Sequence, residues 1–390
     1  MSEWRECQLG EIAEIQTGPF GSQLKNEQYI TGGTPVVTVE HISNFRINNF
    51  SYPSVTDEDK NRLSKYLLNE GDIIFTRVGS VDLSAFVKPH QQGWMFSSRM
   101  LRVRPDEKVD ARFLSYFFQQ KPFRDYVLSI AVGATMPSIN TEILKSLPVS
   151  YPELSEQKAI ASVLSSLDDK IDLLHRQNKT LEAMAETLFR QWFVEEAEEN
   201  WEIGKLGDEF DFTMGQSPSG SSFNQEGIGI PMFQGNADFE FRFPKERVYT
   251  TEPTRFAQRF DTLISVRAPV GAQNMAHKAC CIGRGVAAFR YKNHNNYYTY
   301  TYFKLRSLME EIKKFNDEGT VFGSISKSDF DTLETIIPPF ELIMEFEKEA
   351  KPINDKVIEN CTQIRTLEIL RDTLLPKLMS GEVRVDYTPG

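Results

Sequence analysis

The side chains best able to do chemistry lie scattered along this chain. His41, His90, His175, His277 and His294 form no H-x-x-x-H pair and no His/Cys cluster of metal-ligand spacing. Cys7, Cys280, Cys281 and Cys361 fall in no C-x-x-C pair, and the adjacent Cys280-Cys281 cannot easily bridge each other or clamp zinc. Reduced, mostly buried thiols are expected. Neither G-x-G-x-x-G nor G-x-x-x-x-G-K-[ST] occurs, so no phosphate-cradling loop is signalled. Asp168-Asp169 precedes apolar positions of a helical repeat, which fits a solvated face or a partner contact better than an acid–base dyad. What remains are groups that bind rather than make bonds: arginine, lysine, amide and hydroxyl side chains in glycine-rich loops, which would meet phosphates and base edges if the partner were nucleic acid.

In the first part of the chain these are Ser22 and Gln23 after Gly21, then Arg77, Ser80, Lys88, Arg99, and Thr135 in the Gly133-Ala134-Thr135 loop. In the second part they are Gln216, Ser217, Gln234, Asn236, Arg267, Gln273, Asn274, Lys278, Arg284, and Thr320 in the Gly319-Thr320 loop. Arg77 and Arg267 form the preferred pair, because each follows an apolar, strand-like run.

The elements that must position them are written twice. Trp4-Arg5-Glu6-Cys7-Gln8-Leu9-Gly10 returns as Trp201-Glu202-Ile203-Gly204-Lys205-Leu206-Gly207 at an offset of 197, and Gly133…Ser138-Ile139 returns as Gly319…Ser324-Ile325 at 186. A unit of this length is a duplicated domain with an appendage, and not a solenoid repeat. Residues 1–152 and 196–340 read as mixed α/β domains. Strands are expected at 35–39, 72–77, 100–104, 261–267 and 286–290, with helices after Asp110 and near Tyr297–Lys314. Pro152 and Pro338-Pro339 close the two domains.

Each domain leads into a long heptad seam, in segments 153–195 and 341–380, with a tail at 381–390. Ile160, Leu164, Leu167, Ile171, Leu174, Asn178, Leu181, Ala185, Leu188 and Trp192 step by alternating fours and threes. The second seam runs Phe346, Ala350, Ile353, Val357, Asn360, Ile364, Leu367, Arg371, Leu374 and Leu378. Setting Asn178 opposite Asn360 in an antiparallel pairing gives every seam residue a seam partner. A buried Asn pair fixes register, because a slip would face each amide with hydrocarbon. The expected fold is therefore α+β. Two duplicated α/β domains are joined by two long antiparallel helices in an intramolecular coiled coil of pseudo-two-fold symmetry. Pro376 is expected to kink or end the second helix. The seam would span roughly 50 Å.

Bulk properties agree with a soluble protein of two or three domains: 390 residues, 40% hydrophobic and 12% aromatic. No run nears the roughly 20 apolar residues of a membrane helix, and the first residues lack an apolar signal stretch; a cytoplasmic location without membrane contact is expected. The net charge of −11 would argue against nucleic acid if it were evenly spread. It is concentrated in the two helical segments, whereas 77–125 and 242–306 are rich in basic residues. Phosphate binding follows the local field, so DNA is permitted.

In its order of motifs the chain resembles the specificity (S) subunit of type I restriction–modification systems. The resemblance rests on the opening W-x4-L-G, the Gly18 and Gly215 turns with Pro19 and Pro218 nearby, Gly71-Asp72-Ile73-Ile74 and Asp261-Thr262-Leu263-Ile264, each followed by Arg and Gly. It rests further on Leu147-Pro148-Val149 through Pro152…Glu156-Gln157-Lys158-Ala159-Ile160, similar to the P-x-x-x-E-Q-x-x-I entry to the family's first helix. The second copy departs from it, with Leu342-Ile343 and Phe346 at the corresponding places. The resemblance implies a non-catalytic subunit binding double-stranded DNA, in which each domain reads one half of a bipartite asymmetric target. It implies no cofactor on this chain. The helices would set the spacing and dock two methyltransferase (modification) subunits, which bind S-adenosylmethionine and methylate adenine, alongside restriction/translocase subunits that use ATP and Mg. A rod of roughly 50 Å corresponds to about 15 base pairs at 3.4 Å.

Two other readings compete with this one. A coiled-coil scaffold with two protein- or carbohydrate-binding domains explains the rod and the duplication but not the basic clusters. A fused DNA methyltransferase lacks its motifs: Ile337-Pro338-Pro339-Phe340 has isoleucine where a polar residue must hold the target amine, and reads instead as a domain-to-helix joint.

Overall fold

Ile73-Ile74-Phe75-Thr76 is a strand in which every residue is buried, as a strand covered on both faces requires. Period-two geometry sends Ile73 and Phe75 to one face, with Leu101 and Val103, and Ile74 to the other, with Ala85, Val87 and Met100. One sheet thus feeds two cores. The computed structural model describes residues 4–48, 50–133, 135–292, 294–317 and 324–385. They form two compact units, Met1–Lys170 with Leu367–Gly390, and Ile171–Thr366. Each unit combines one α/β region with a stretch of each long helix.

In the first unit an antiparallel sheet runs Ala13–Thr17, Met100–Pro105, Ile73–Thr76, Ser84–Phe86 in spatial order. Arg5–Gln8 pairs separately with Pro148–Tyr151 and closes the domain on itself. The second unit repeats both features, with a sheet ordered Phe210–Met214, Val286–Tyr291, Thr262–Ser265, Gln273–Met275, and Glu202–Lys205 paired with Glu334–Ile337. Leu263 and Ile264 again face different cores. The duplication extends to ion pairs. Arg104 makes two 2.7 Å contacts with Asp72, and Arg290 reaches both oxygens of Asp261 at 2.7 Å.

Asp110 caps the helix Ala111–Gln119 by accepting from the Phe113 amide at 2.9 Å, and Phe113, Leu114 and Phe118 are wholly buried beneath it. Full burial of each such side chain contributes about 1.5–3 kcal/mol. The second domain's helix is broken in two, Tyr298–Ser307 and Met309–Asp317, at Leu308.

The long helices are Leu154–Arg190, which widens into a π turn over Gln191–Glu195, and Phe340–Met379. In the second unit Asn360 Nδ2 donates to Asn178 Oδ1 at 2.9 Å, and the Trp192 and Phe346 rings meet at 6.0 Å. Both contacts keep the antiparallel register expected from the seam. In the first unit Ile160 and Leu164 share a core with Leu378. Two expectations need correction. The second helix continues past Pro376 and stops three residues on, at Met379, with Gly381 beyond it at φ +73°. Asp168 is not a solvated carboxylate. It accepts from Tyr116 Oη at 2.6 Å and Arg371 Nη1 at 2.9 Å, because Arg371, the charged residue at a seam position, must carry its head to a partner. No helix among the described residues is long and apolar enough to cross a membrane.

Candidate nucleic-acid interface

One end of the first unit's sheet gathers three loops. Chain leaving Ala13–Thr17 turns at Gly18, whose amide donates to Met100 O at 3.2 Å, and an added Cβ there would lie 2.1 Å from Ser97 O. Only glycine lets these backbones approach so closely. The following turn carries exposed Ser22 and half-buried Gln23, whose Oε1 accepts from the Phe20 amide at 3.2 Å. Arg77, leaving Ile73–Thr76, donates its amide to Arg99 O at 2.8 Å and accepts from the Ile139 amide at 3.0 Å. Gly79 donates to Pro137 O at 2.9 Å. Ser22, Gln23, Arg77, Ser80, Arg99 and Thr135 therefore belong to one loop cluster, with Ser80, Arg99 and Thr135 exposed.

The second unit builds the same end. Gly215 donates to Val286 O at 2.9 Å, and its added Cβ would lie 2.1 Å from Gly283 O. Ser217 Oγ accepts from the Arg284 amide at 3.3 Å, and Gln216 accepts from Thr254 Oγ1. Gln234 lies against Gly283 and Gly285, with Asn236 two residues on in an exposed turn. Arg267 forms a β-bridge with Ser324.

Many of the arginines are committed to carboxylates. Arg102, Arg104, Arg124, Arg242, Arg290, Arg306 and Arg371 are ion-paired within their units. Among the described residues, Arg77, Arg99, Arg267 and Arg284 form no ion pair, and all four sit in the two loop clusters. Arg255, missed in the sequence reading, joins them: it is exposed, and its carbonyl accepts from the Ile282 amide at 2.9 Å. Its position beside the short strand Phe256–Ala257 was the available signal.

The pairing of Arg77 with Arg267 does not hold. Thr76 opposes Met100 and Ser265 opposes Val286, so the residue equivalent to Arg77 is Val266. Val266 donates to Gly285 O and accepts from Ile325 as Arg77 does with Arg99 and Ile139, but it is 2% exposed and part of the core. Arg267 corresponds to Val78. A one-residue slip along extended chain exchanges faces, and sequence offsets cannot resolve it.

Four other candidates lie elsewhere. Asn274 is fully buried and donates to Glu240 O at 2.6 Å. Gln273 donates to Tyr302 O at 2.6 Å, held against the domain's helix. Lys278 pairs with Glu246 at 3.1 Å, which Arg365 of the second long helix also contacts. Burial pushes the Glu246 carboxyl up, but the Lys278 hydrogen bond and charge outweigh it and hold it below the ordinary value. Lys88 is half-buried in the field of Arg46, Asp169 and Asp168; burial, with Arg46 adding to it, draws its ammonium down. A lysine aligned with a basic cluster in sequence is thus committed to the helix side by folding. Ala134, Gly319 and Thr320 lie outside the described residues. Also among the described residues, no group of three His, Cys, Asp or Glu side chains could hold a metal ion.

Comparison with known proteins gives this arrangement its family. The model for the type I restriction modification DNA specificity domain matches residues 1–183 and again 198–351. A putative type I restriction enzyme MjaX specificity subunit of Methanocaldococcus jannaschii is 31% identical over 409 residues, covering 98% of this chain and 94% of that protein. The MjaIX specificity subunit of the same organism is 26% identical over 420 residues, with the same coverage. The crystal structure of the type I restriction–modification S subunit from M. genitalium shares the fold, with TM-score 0.66 and 18% identity over 99% of this chain and 97% of that one. With two matched copies and full-length relatives, the chain belongs to the type I restriction–modification DNA specificity family.

Proposed function

We propose that this chain is the DNA-recognition subunit of a type I restriction–modification complex, each unit reading one half of a split, asymmetric target. It acts without catalysis of its own, in the cytoplasm. Two methyltransferase subunits carrying S-adenosylmethionine, and restriction subunits using ATP and Mg, supply the chemistry. The observation carrying this reading is that Arg77, Arg99, Arg255, Arg267 and Arg284, none with an acidic partner among the described residues, collect at the same end of both sheets, where glycine-enforced close packing presents loops. Unpaired guanidinium groups in a rigid loop cluster suit phosphate and guanine contacts. The reading groups Ser22, Gln23, Arg77, Ser80, Arg99 and Thr135 as one DNA-facing set, and Gln216, Ser217, Gln234, Asn236, Arg255, Arg267 and Arg284 as the other.

The long helices are assigned the spacing and the docking of methyltransferase subunits. Each runs without interruption from residues of one unit to residues of the other. Methylome sequencing of a host carrying this chain and its methyltransferase tests the whole reading. One bipartite motif with methylated adenines is expected; methylation at a continuous motif, or none dependent on this chain, overturns it. A scaffold that binds protein or carbohydrate would leave DNA methylation untouched.

A further inference from the structure

The loop clusters differ at one position in a way that bears on what each unit reads. At the end of Ile73–Thr76 the first unit has Arg77, and the second has Val266 in its core. The Arg77 guanidinium lies over the Phe20 ring, 4.7 Å from its centroid, and Nη1 donates to Ser98 O at 3.1 Å. Two hydrogen bonds fix the Arg77 backbone: its amide to Arg99 O, and the Ile139 amide to its carbonyl. Phe20 is itself pinned, since its amide donates to Gln23 Oε1 and its carbonyl accepts from the Gln23 amide at 2.8 Å. Phe20 itself is 45% exposed and belongs to none of the buried clusters.

Stacking and one carbonyl contact immobilise the guanidinium without consuming it. An arginine carries five donors in a planar fork, and here the Nε–Nη2 edge has no partner among the described residues. That edge has the geometry for a bidentate bond to guanine O6 and N7. Guanidinium groups that must first be ordered lose side-chain entropy on binding, and this one has already lost it. In the second unit, the residue at the place of Phe20 by the Gly18/Gly215 alignment is Ser217, whose hydroxyl is engaged with the Arg284 amide. No aromatic ring occupies that corner, and the arginine there, Arg284, meets Ser217 through its backbone amide and not through a stacked guanidinium.

Resting on the DNA-reading function above, we infer that Phe20 is a positioning residue for Arg77, and that together they specify one G·C pair in the half-site read by the first unit. The second unit has no counterpart. Arg77 is then a base reader, and Phe20 acts through it.

The test uses the full chain with its methyltransferase, once the methylated motif is known. Wild type and Arg77→Ala, Arg77→Lys, Phe20→Leu and Phe20→Trp are titrated with duplexes carrying each base pair at every specified position. Arg77→Ala should lose about ten- to hundred-fold discrimination at a single G·C pair. Phe20→Leu should lose about tenfold at that same pair while affinity for unrelated DNA stays put, and Phe20→Trp should keep it. Relaxation by Arg77→Ala but not by Phe20→Leu overturns the role of Phe20. A uniform loss across all sequences in Arg77→Ala and Arg77→Lys makes Arg77 a phosphate contact and overturns the inference, with the DNA-reading function intact. Absence of any sequence preference in the wild-type complex would instead sink that function. Because Phe20 is exposed, Phe20→Leu should fold normally, and thermal melting checks this.

Discussion

Asn360 Nδ2 donates to Asn178 Oδ1 at 2.9 Å, with both side chains fully buried between the two long helices of the second unit. Asn178 Nδ2 also reaches Cys361 Sγ at 3.3 Å, while Asn360 Oδ1 has no hydrogen-bond partner among the described residues. The pair is a register device rather than a stabilising one, since an apolar pair would pack as well without the desolvation cost.

Replacing one member should therefore hurt more than replacing both. Asn178→Leu leaves the Asn360 amide without its bond and should destabilise the second unit by about 1–3 kcal/mol. The Asn178→Leu/Asn360→Leu double variant should recover most of that. Urea denaturation of the three variants decides it; a double variant as unstable as the sum of the singles would refute the register role.

The second unit should respond to pH through Glu347. Its carboxylate accepts from the Tyr300 amide at 2.8 Å and the Thr299 amide at 3.2 Å, capping the domain's helix. Burial raises it to about 7 against those hydrogen bonds. An unfolded glutamate titrates near about 4.3. The folded state thus holds the proton more tightly, and stability present below that value is lost as pH rises toward 7. Denaturation midpoints from pH 5 to 8 should fall in wild type more steeply than in Glu347→Gln; parallel curves would exclude Glu347. In the first unit the neutral Gln157 performs the joining task, with Oε1 accepting from the Asp110 amide at 2.8 Å, so no such slope is expected there.

Close backbone approach at the loop cluster should make Gly215 intolerant. An alanine Cβ would meet Gly283 O at 2.1 Å, whereas at Gly220 nothing lies within 4 Å. Gly215→Ala should cost about 1–3 kcal/mol, and Gly220→Ala less than about 0.5 kcal/mol. Equal melting temperatures for the two variants would contradict the packing.

Exposed, unpaired Arg267 should weaken cognate binding when changed to alanine, with little effect on assembly with the methyltransferase. If it contacts phosphate, the dependence of binding on salt should fall by about one ion. Gel-shift titration at several salt concentrations reads both; unchanged affinity removes Arg267 from the interface.

Much of the architecture was legible because it depends on periodicity. The seam positions of both helices, the Asn register and the strand cores 73–76 and 262–265 follow from spacing of three, four and two, which local geometry enforces. The candidate binding residues were less legible. Arg77 and Arg99 fall where glycine and strand ends placed them, but Lys88, Lys278, Gln273 and Asn274 are absorbed by neighbours distant in sequence.

By itself, then, the sequence determined the duplication, the class of the main strands and long helices, and the pairing register of those helices. Each of these is set by contacts repeated at fixed intervals, so the pattern contains the answer. Tertiary structure alone decided which cations remain unpaired, and that Val266 rather than Arg267 stands in the place of Arg77. Those outcomes turn on single-residue register in extended chain and on carboxylates brought up from elsewhere in the fold, as Glu246 is to Lys278. No linear spacing encodes them.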